Sequence, residues 1–305
     1  MKLKYFSSYL TLLFGCFCAV SYAEEEPEIT FKTIEVGLGL YMLIGEGGFS
    51  GGNIGLSVGD DGVIMIDDSM PPMLDKLNKT VQPIAKKPID YLINTHVHGD
   101  HTGNNTSLGK LGVKIFAQEN VRKRMLIKNS DGKSTDKAAL PVFTFNDGMT
   151  FHINNQDAQV FHVAHAHTDG DSVIYFKQAN IIHTGDTLFN RMFPFIDLNK
   201  GGSLDGYIAA QQRVLALADD QTKIIPGHGQ LANKADLLAA NEMLMDAKKI
   251  IAEQIKKGLS EEEVVKHNPL QKYDSAWSWN FINTEKMTRQ VYQGIQRAAE
   301  YKTIE

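Results

Sequence analysis

The chain has 305 residues, of which 43% are hydrophobic, and a formal charge of −5. That length suffices to bury a core in one large domain or two small ones. The acidic balance argues against nucleic acid as a partner, which calls for a basic face.

The N-terminus begins with Lys2 and Lys4, continues as an apolar stretch over about 9–20 and reaches Ser21-Tyr22-Ala23 before Glu24. A basic start, a short apolar run and a small-x-small site predict a secretory signal peptide over 1–23, cleaved after Ala23. Lipid attachment at Cys16, after Leu13-Phe14-Gly15, is the rival reading, weakened by the bulky Phe14. The expected product is periplasmic or secreted, with no stable membrane insertion after cleavage, since no later apolar run approaches the roughly 20 residues a span needs. The only cysteines, Cys16 and Cys18, lie in this segment. After cleavage, disulfides and thiolate ligands are excluded, and any metal must be held by nitrogen and oxygen.

Short apolar runs then alternate with glycine-rich breaks, predicting strands over 31–35, 40–44, 53–58 and 63–66. Asp60-Asp61-Gly62 turns between the last two. Residues 71–85 have helical spacing, with Met73, Leu77, Val81 and Ile84 on one side. A strand over 89–94 runs straight into a histidine cluster. Beyond a helix near 120–127 and a polar loop over 128–137, strands are expected near 150–153, 159–163, 172–176 and 180–183. From Ser203 the pattern turns helical, over 204–218, 234–256, 260–266 and 284–301. Ser203 reads as the cap of the first of these. Ser260 and Glu263 form a capping box for the third. With no repeat and no linker, residues 24–305 read as one domain whose C-terminal region, from about 234, is helical. Element counting alone gives a mixed α/β protein.

The chemistry concentrates in Asn94-Thr95-His96-Val97-His98-Gly99-Asp100-His101. In extended chain, residues two apart point the same way, so His96 and His98 can grip one ion. Gly99 lets the backbone turn, and Asp100 and His101 then face a second position. Four ligand-type residues in six, in the loop after a buried strand, point to metal.

At these residues the chain resembles the metallo-β-lactamase-fold superfamily, whose hallmark is His-x-His-x-Asp-His. Further hallmarks follow in order: His167 in Ala166-His167-Thr168-Asp169-Gly170-Asp171, Asp186 in Thr184-Gly185-Asp186-Thr187, and His228 in Pro226-Gly227-His228-Gly229. Upstream, residues 62–67 resemble the family strand that ends in an aspartate, here Asp67, behind the ligands. The resemblance covers about 33–231 and implies a four-layer αβ/βα sandwich with added C-terminal helices. It also implies two Zn2+ per chain. His96, His98 and His167 would hold one ion and Asp100, His101 and His228 the other, with Asp186 bridging. Asp67 would order the ligand loop by hydrogen bonds.

Imidazole and carboxylate suit zinc. Iron members of the fold usually carry an acid where this chain has His98. The implied chemistry is hydrolysis by zinc-activated water, with Asp100 orienting the nucleophile and moving its proton. The expected substrate is a small molecule bearing an amide, lactone, ester or thioester. One class of zinc β-lactamases has cysteine, and another serine, at the position of Asp186. A bridging aspartate instead resembles the glyoxalase II, lactonase and phosphodiesterase branches. β-Lactam opening is the alternative within the class. A mononuclear iron oxygenase of sulfur compounds and a non-catalytic zinc-binding protein are the alternatives outside it.

Other candidates have plainer readings. His152, His162, His183 and His267 read as structural or surface residues, and His165 as a possible substitute ligand. Arg191 is a candidate for binding a substrate carboxylate, against a solvated loop arginine. Trp277, Trp279 and Phe281 precede the last helix and read first as packing, with a pocket wall as the other reading.

Overall fold

The computed structural model describes residues 28–127 and 132–302. The segment expected to be a signal peptide, residues 1–23, and the start of the polar loop after 127 lie outside the described residues. Seven strands form the first sheet in chain order: β1 Thr30–Gly37, β2 Leu40–Glu46, β3 Ile54–Val58, β4 Val63–Ile66, β5 Tyr91–Ile93, β6 Lys114–Gln118 and β7 Phe143–Phe145. Pairing is antiparallel as far as β4 and parallel from β4 to β7. The second sheet holds β8 Gly148–Ile153, β9 Gln156–His162, β10 Ser172–Phe176, β11 Ile181–His183, β12 Lys223–Ile225 and β13 Ala232–Asn233, in the order β13-β12-β11-β10-β9-β8.

Side chains alternate across each strand, and this alternation builds three apolar layers. Val63 and Met65 face outward with Leu77, Val81 and Ala85 of helix α1, Leu74–Ala85. Ile64 and Ile66 face inward, where they meet Val160, Ile174, Phe176, Ile181 and Ile225 of the second sheet. On the far side of that sheet, Phe161, Val173, Ile182 and Ile224 pack against later helices. Three interfaces separate four layers, helix–sheet–sheet–helix, as the resemblance implied.

Short helices α2, Gly99–Thr102, α3, Asn105–Lys110, and α4, Glu119–Met125, follow β5 and β6. The C-terminal layer holds α5, Leu204–Leu217, α6, Lys234–Lys256, α7, Glu261–His267, α8, Asp274–Trp277, and α9, Thr284–Lys302. Ser203 caps α5 by accepting from the Gly206 amide, and Ser260 and Glu263 form the expected capping box of α7. No helix among the described residues is long and apolar enough to cross a membrane.

Several elements depart from the sequence reading. The helix expected from 71 begins as a 3-10 turn, Pro71–Met73. Strand β9 begins three residues earlier than expected and closes a hairpin with β8. Its turn is Asn154-Asn155, both at positive φ (54° and 58°), the backbone of a two-residue hairpin turn. Strands β6, β7, β12 and β13 were not anticipated.

This topology gathers the ligand loops. Strands β4 and β5 run parallel, as do β11 and β12, so within each sheet the loops after these strands leave from one edge. The β9–β10 loop emerges at that edge too, because β10 starts opposite the end of β11. The edges of the two sheets are joined there by Ser172 N donating to Thr95 O (2.9 Å) and Asn53 N donating to Gly227 O (2.7 Å).

Candidate metal centre

Two groups of ligand atoms converge at this edge: His96, His98, His167 and Asp186, and beside them Asp100, His101 and His228. His98 Nδ1 lies 3.2 Å from His96 Nε2 and 2.8 Å from His167 Nε2. The Asp186 carboxylate stands between the groups. Its Oδ2 is 3.7 Å from His96 Nε2, 3.4 Å from His167 Nε2 and 3.5 Å from His228 Nε2. Its Oδ1 is 3.1 Å from His101 Nε2. Asp100 Oδ2 reaches His101 Nε2 at 3.5 Å and His228 Nε2 at 3.4 Å.

The outer hydrogen bonds decide which nitrogens are bare. His167 Nδ1 lies 2.6 Å from the Phe195 carbonyl; a carbonyl only accepts, so Nδ1 carries the proton and Nε2 does not. His98 Nε2 faces the Asp197 carboxylate at 3.0 Å, which leaves Nδ1 bare. The Thr95 hydroxyl donates to Asp67 Oδ2 (2.7 Å) and so accepts from His96 Nδ1 (3.0 Å), leaving His96 Nε2 bare. Three lone pairs thus point at one another beside a carboxylate, an arrangement that repels itself until a cation sits between them. Burial first, then the neighbouring His101, holds His96 well below its ordinary pKa. Burial holds His167 down to about 4. Both rings are therefore neutral, as ligands must be.

The second group carries the balancing charge. Burial opposes ionisation of Asp186 and Asp100, but the rings of His101 and His228 outweigh it and hold both carboxyls well below the usual range. Burial also disfavours the charged form of His101 and His228. The carboxylates of Asp186 and Asp100 overrule it, pushing His101 well up and His228 up to about 9. Without metal, protons on these rings supply the positive charge that a cation would. His101 Nε2 and Asp186 Oδ1 are buried with no hydrogen-bond partner among the described residues, as befits atoms that would face a cation. The residues fit a pair of nitrogen- and oxygen-ligated ions.

Asp67 lies fully buried behind the second group. It accepts from Thr95 N and Thr95 Oγ1 and faces His101 Nδ1, each at 2.7 Å. Its φ of +60° is the left-handed turn that an aspartate tolerates better than most residues. Two glycines make room for the ligands. A Cβ on Gly52 would lie 2.1 Å from the His101 ring, and one on Gly227 would lie 2.0 Å from Asp186 Oδ1.

The sequence reading missed Asp197, which fixes His98 from 99 residues away, and the Phe195 carbonyl behind His167. It also missed Asn53, whose side chain donates to Pro226 O (2.9 Å) and Gly229 O (2.8 Å) on either side of His228. Arg191, at a positive φ of 58°, pairs with Asp236 at 2.8 Å and is not among the residues that line the cleft over the ligands. His165 is exposed and faces Gly201 O at 2.9 Å, outside both ligand groups. His183 is buried with its Nδ1 accepting from Gly185 N.

The cleft above the ligands has a volume of about 1090 Å³. His98, Asp100, Asp186 and His228 form its floor, and Phe49, Phe189, Phe195, Trp279 and Phe281 stand in its walls. Trp277 is buried in the core instead, so the aromatics before the last helix divide between the two readings.

A family model described as the metallo-beta-lactamase superfamily matches residues 47–228. The chain is 29% identical over 182 residues to a hydroxyacylglutathione hydrolase from Pelagibacter ubique, covering 56% of this chain and 66% of that protein. It is 25% identical over 174 residues to the 2,4-dinitroanisole O-demethylase subunit alpha from Nocardioides sp., covering 56% of this chain and 50% of that protein. The chain therefore spans one half to just under two-thirds of these relatives' lengths. Among solved structures, a stereoselective inverting sec-alkylsulfatase from Pseudomonas sp. superposes with a TM-score of 0.64 at 17% identity, covering 86% of this chain and 50% of that one. That likeness is one of fold.

Proposed function

Because the chain belongs to the metallo-β-lactamase superfamily, we propose that it is a two-zinc hydrolase of a small molecule bearing an amide, lactone, ester or thioester. The observation that carries this reading is the Asp186 carboxylate, which offers one oxygen toward His96, His167 and His228 and the other toward His101. A carboxylate shared in this way is suited to bridging two ions. His96, His98 and His167 would hold one and Asp100, His101 and His228 the other. Zinc bound there would lower the pKa of water toward 7 and polarise the bond to be cleaved.

The chain's own groups complete the chemistry. Asp100 is a partly exposed carboxylate on the cleft floor, kept ionised by His101 and His228. It can accept a hydrogen bond from the attacking water and pass its proton toward the leaving group. Asp197, Asp67, Thr95 and the Phe195 carbonyl lock the ligand rings, so little reorganisation is left for the reaction itself. The basic, apolar and small-x-small N-terminus supports export, with cleavage after Ala23 and action in the periplasm or outside the cell.

Elemental analysis of protein purified without chelator tests the metal, with two zinc ions per chain expected. One iron per chain would favour an oxygenase. A hydrolysis screen of lactones, thioesters, esters and β-lactams on that protein tests the reaction. Turnover of none of them, with the zinc in place, would overturn the hydrolase reading. A cephalosporin opened fastest would make it a β-lactamase. Intact mass of the exported product tests processing, with Glu24 expected as first residue.

A further inference from the structure

The C-terminal region, outside the family match at 47–228, supplies part of the cleft. Trp279 and Phe281 come from the segment between α8 and α9. This segment is fastened to the body. Trp279 Nε1 donates to Phe193 O (2.9 Å), and Phe193 N donates to Trp277 O (2.7 Å). Trp279 therefore stands as a prebuilt wall.

Three rings gather near-parallel around His228. Phe189 lies 4.8 Å from it at 24°, Phe49 5.9 Å at 16° and Trp279 6.4 Å at 30°. Phe49 is 54% exposed and Phe281 49%, so apolar surface is left uncovered at the mouth, as at a ligand site.

Beside His98 the cleft also carries a cation. Lys200 is the only lysine or arginine among the described lining residues. Its Nζ sits 3.0 Å from Asp197 Oδ2, the oxygen that also faces His98 Nε2. An ammonium has three donors, and one bond to Asp197 leaves two for a ligand.

We infer that the cleft takes a substrate with a flat apolar body and an anionic group. The body lies against Trp279 and Phe49 beside His228, and the anion reaches Lys200 beyond His98. The inference deepens the hydrolase reading and rests on the cleft being its substrate site. A wall that needs no ordering gives the apolar body affinity at low entropic cost. The ammonium then discriminates an anion from its neutral isostere.

The test is calorimetric binding of 2-naphthylacetate and of the neutral 2-naphthylacetamide to the zinc-loaded full chain. Lys200→Met should weaken the acid at least tenfold and move the amide by less than twofold. Zinc content should stay unchanged, because Asp197 keeps the bonds from Asn199 N, Lys200 N and His98. Trp279→Ala should weaken both ligands at least fivefold. Phe49→Ala, on an exposed loop, should do the same and covers the case in which the tryptophan variant fails to fold.

Equal affinity for acid and amide would overturn the inference. So would Lys200→Met affecting neither ligand, which would mean a carboxylate bound by zinc alone, or both equally. Wall variants without effect would refute the apolar half. Turnover in the hydrolysis screen with this binding pattern absent rejects the inference and leaves the hydrolase. The pattern present without turnover does the reverse.

Discussion

Asp67→Asn is an isosteric change that should remove one metal and spare the other. Asparagine fits the same volume and tolerates the positive φ, so the backbone has no reason to move. Thr95 N can still donate to the remaining oxygen. The atom that replaces Oδ2, however, becomes an NH2 group facing two donors, Thr95 Oγ1 and His101 Nδ1, both at 2.7 Å. Hydrogen bonds to a charged group contribute about 1.5–3 kcal/mol each. The hydroxyl can rotate and the imidazole can change tautomer, so we expect a net destabilisation of about 2–3 kcal/mol. The tautomer change carries the functional consequence. If His101 Nδ1 becomes the acceptor, its proton moves to Nε2, the atom 3.1 Å from Asp186 Oδ1, and a protonated nitrogen cannot ligate. Loss of a partner behind a ligand lowers metal affinity about 10- to 100-fold, or roughly 1.4–2.7 kcal/mol. Zinc titration against a chromophoric chelator, followed by elemental analysis after gel filtration, should find one tightly held ion where two are expected of the unmodified chain. Two ions at unchanged affinity would refute the tautomer argument.

Gly227→Ala should displace Asp186, because the new Cβ would lie 2.0 Å from its Oδ1 and 2.7 Å from the Gly185 backbone carbon. Overpacking of about 1–3 kcal/mol and loss of at least one zinc are expected by urea melts and elemental analysis. Asp186→Cys should keep the fold and at least one zinc, since thiolate is a good ligand. It should lower kcat/KM on the native substrate at least tenfold, or about 1.4 kcal/mol. His183 supplies a pH signature. Burial lowers its folded pKa to about 4, against roughly 6.5 when unfolded. Stability from this group is complete above 6.5 and is lost as pH falls toward 4, because only the unfolded state takes the proton in that window, at a cost of up to about 3 kcal/mol. Urea melts of the metal-free protein between pH 7.5 and 4.5 should show this slope together with those of His96 and His167, and His183→Gln should remove only its own share.

The ligand loop was legible because it is chemically extravagant. His96, His98, Asp100 and His101 fall within six positions, and few structural roles call for that composition. The groups that aim those ligands carry no such mark. The acceptor behind His167 is the Phe195 backbone carbonyl, which every residue owns, and Asp197 reaches His98 across 99 residues. Strand β6 is short and pairs in parallel with both neighbours, so its register depends on distant segments. The β8–β9 hairpin, by contrast, carries a signal that the sequence reading passed over, Asn154-Asn155, since asparagine favours the positive φ both residues adopt.

The cleft is the least legible part, because its floor and its walls draw on opposite residue types. Its floor uses residues that cores avoid, whereas its walls use residues that cores prefer. Trp277 and Trp279 are two apart, yet one is buried in the core and the other lines the cleft. What separates them is the Ser278 backbone, extended at φ −71° and ψ 142°, followed by the bond from Trp279 Nε1 to Phe193 O. Neither can be read from composition. The ligand cluster is therefore written in residue type, while the shape of the cleft is written in how the C-terminal segment is fastened to the loop beneath it.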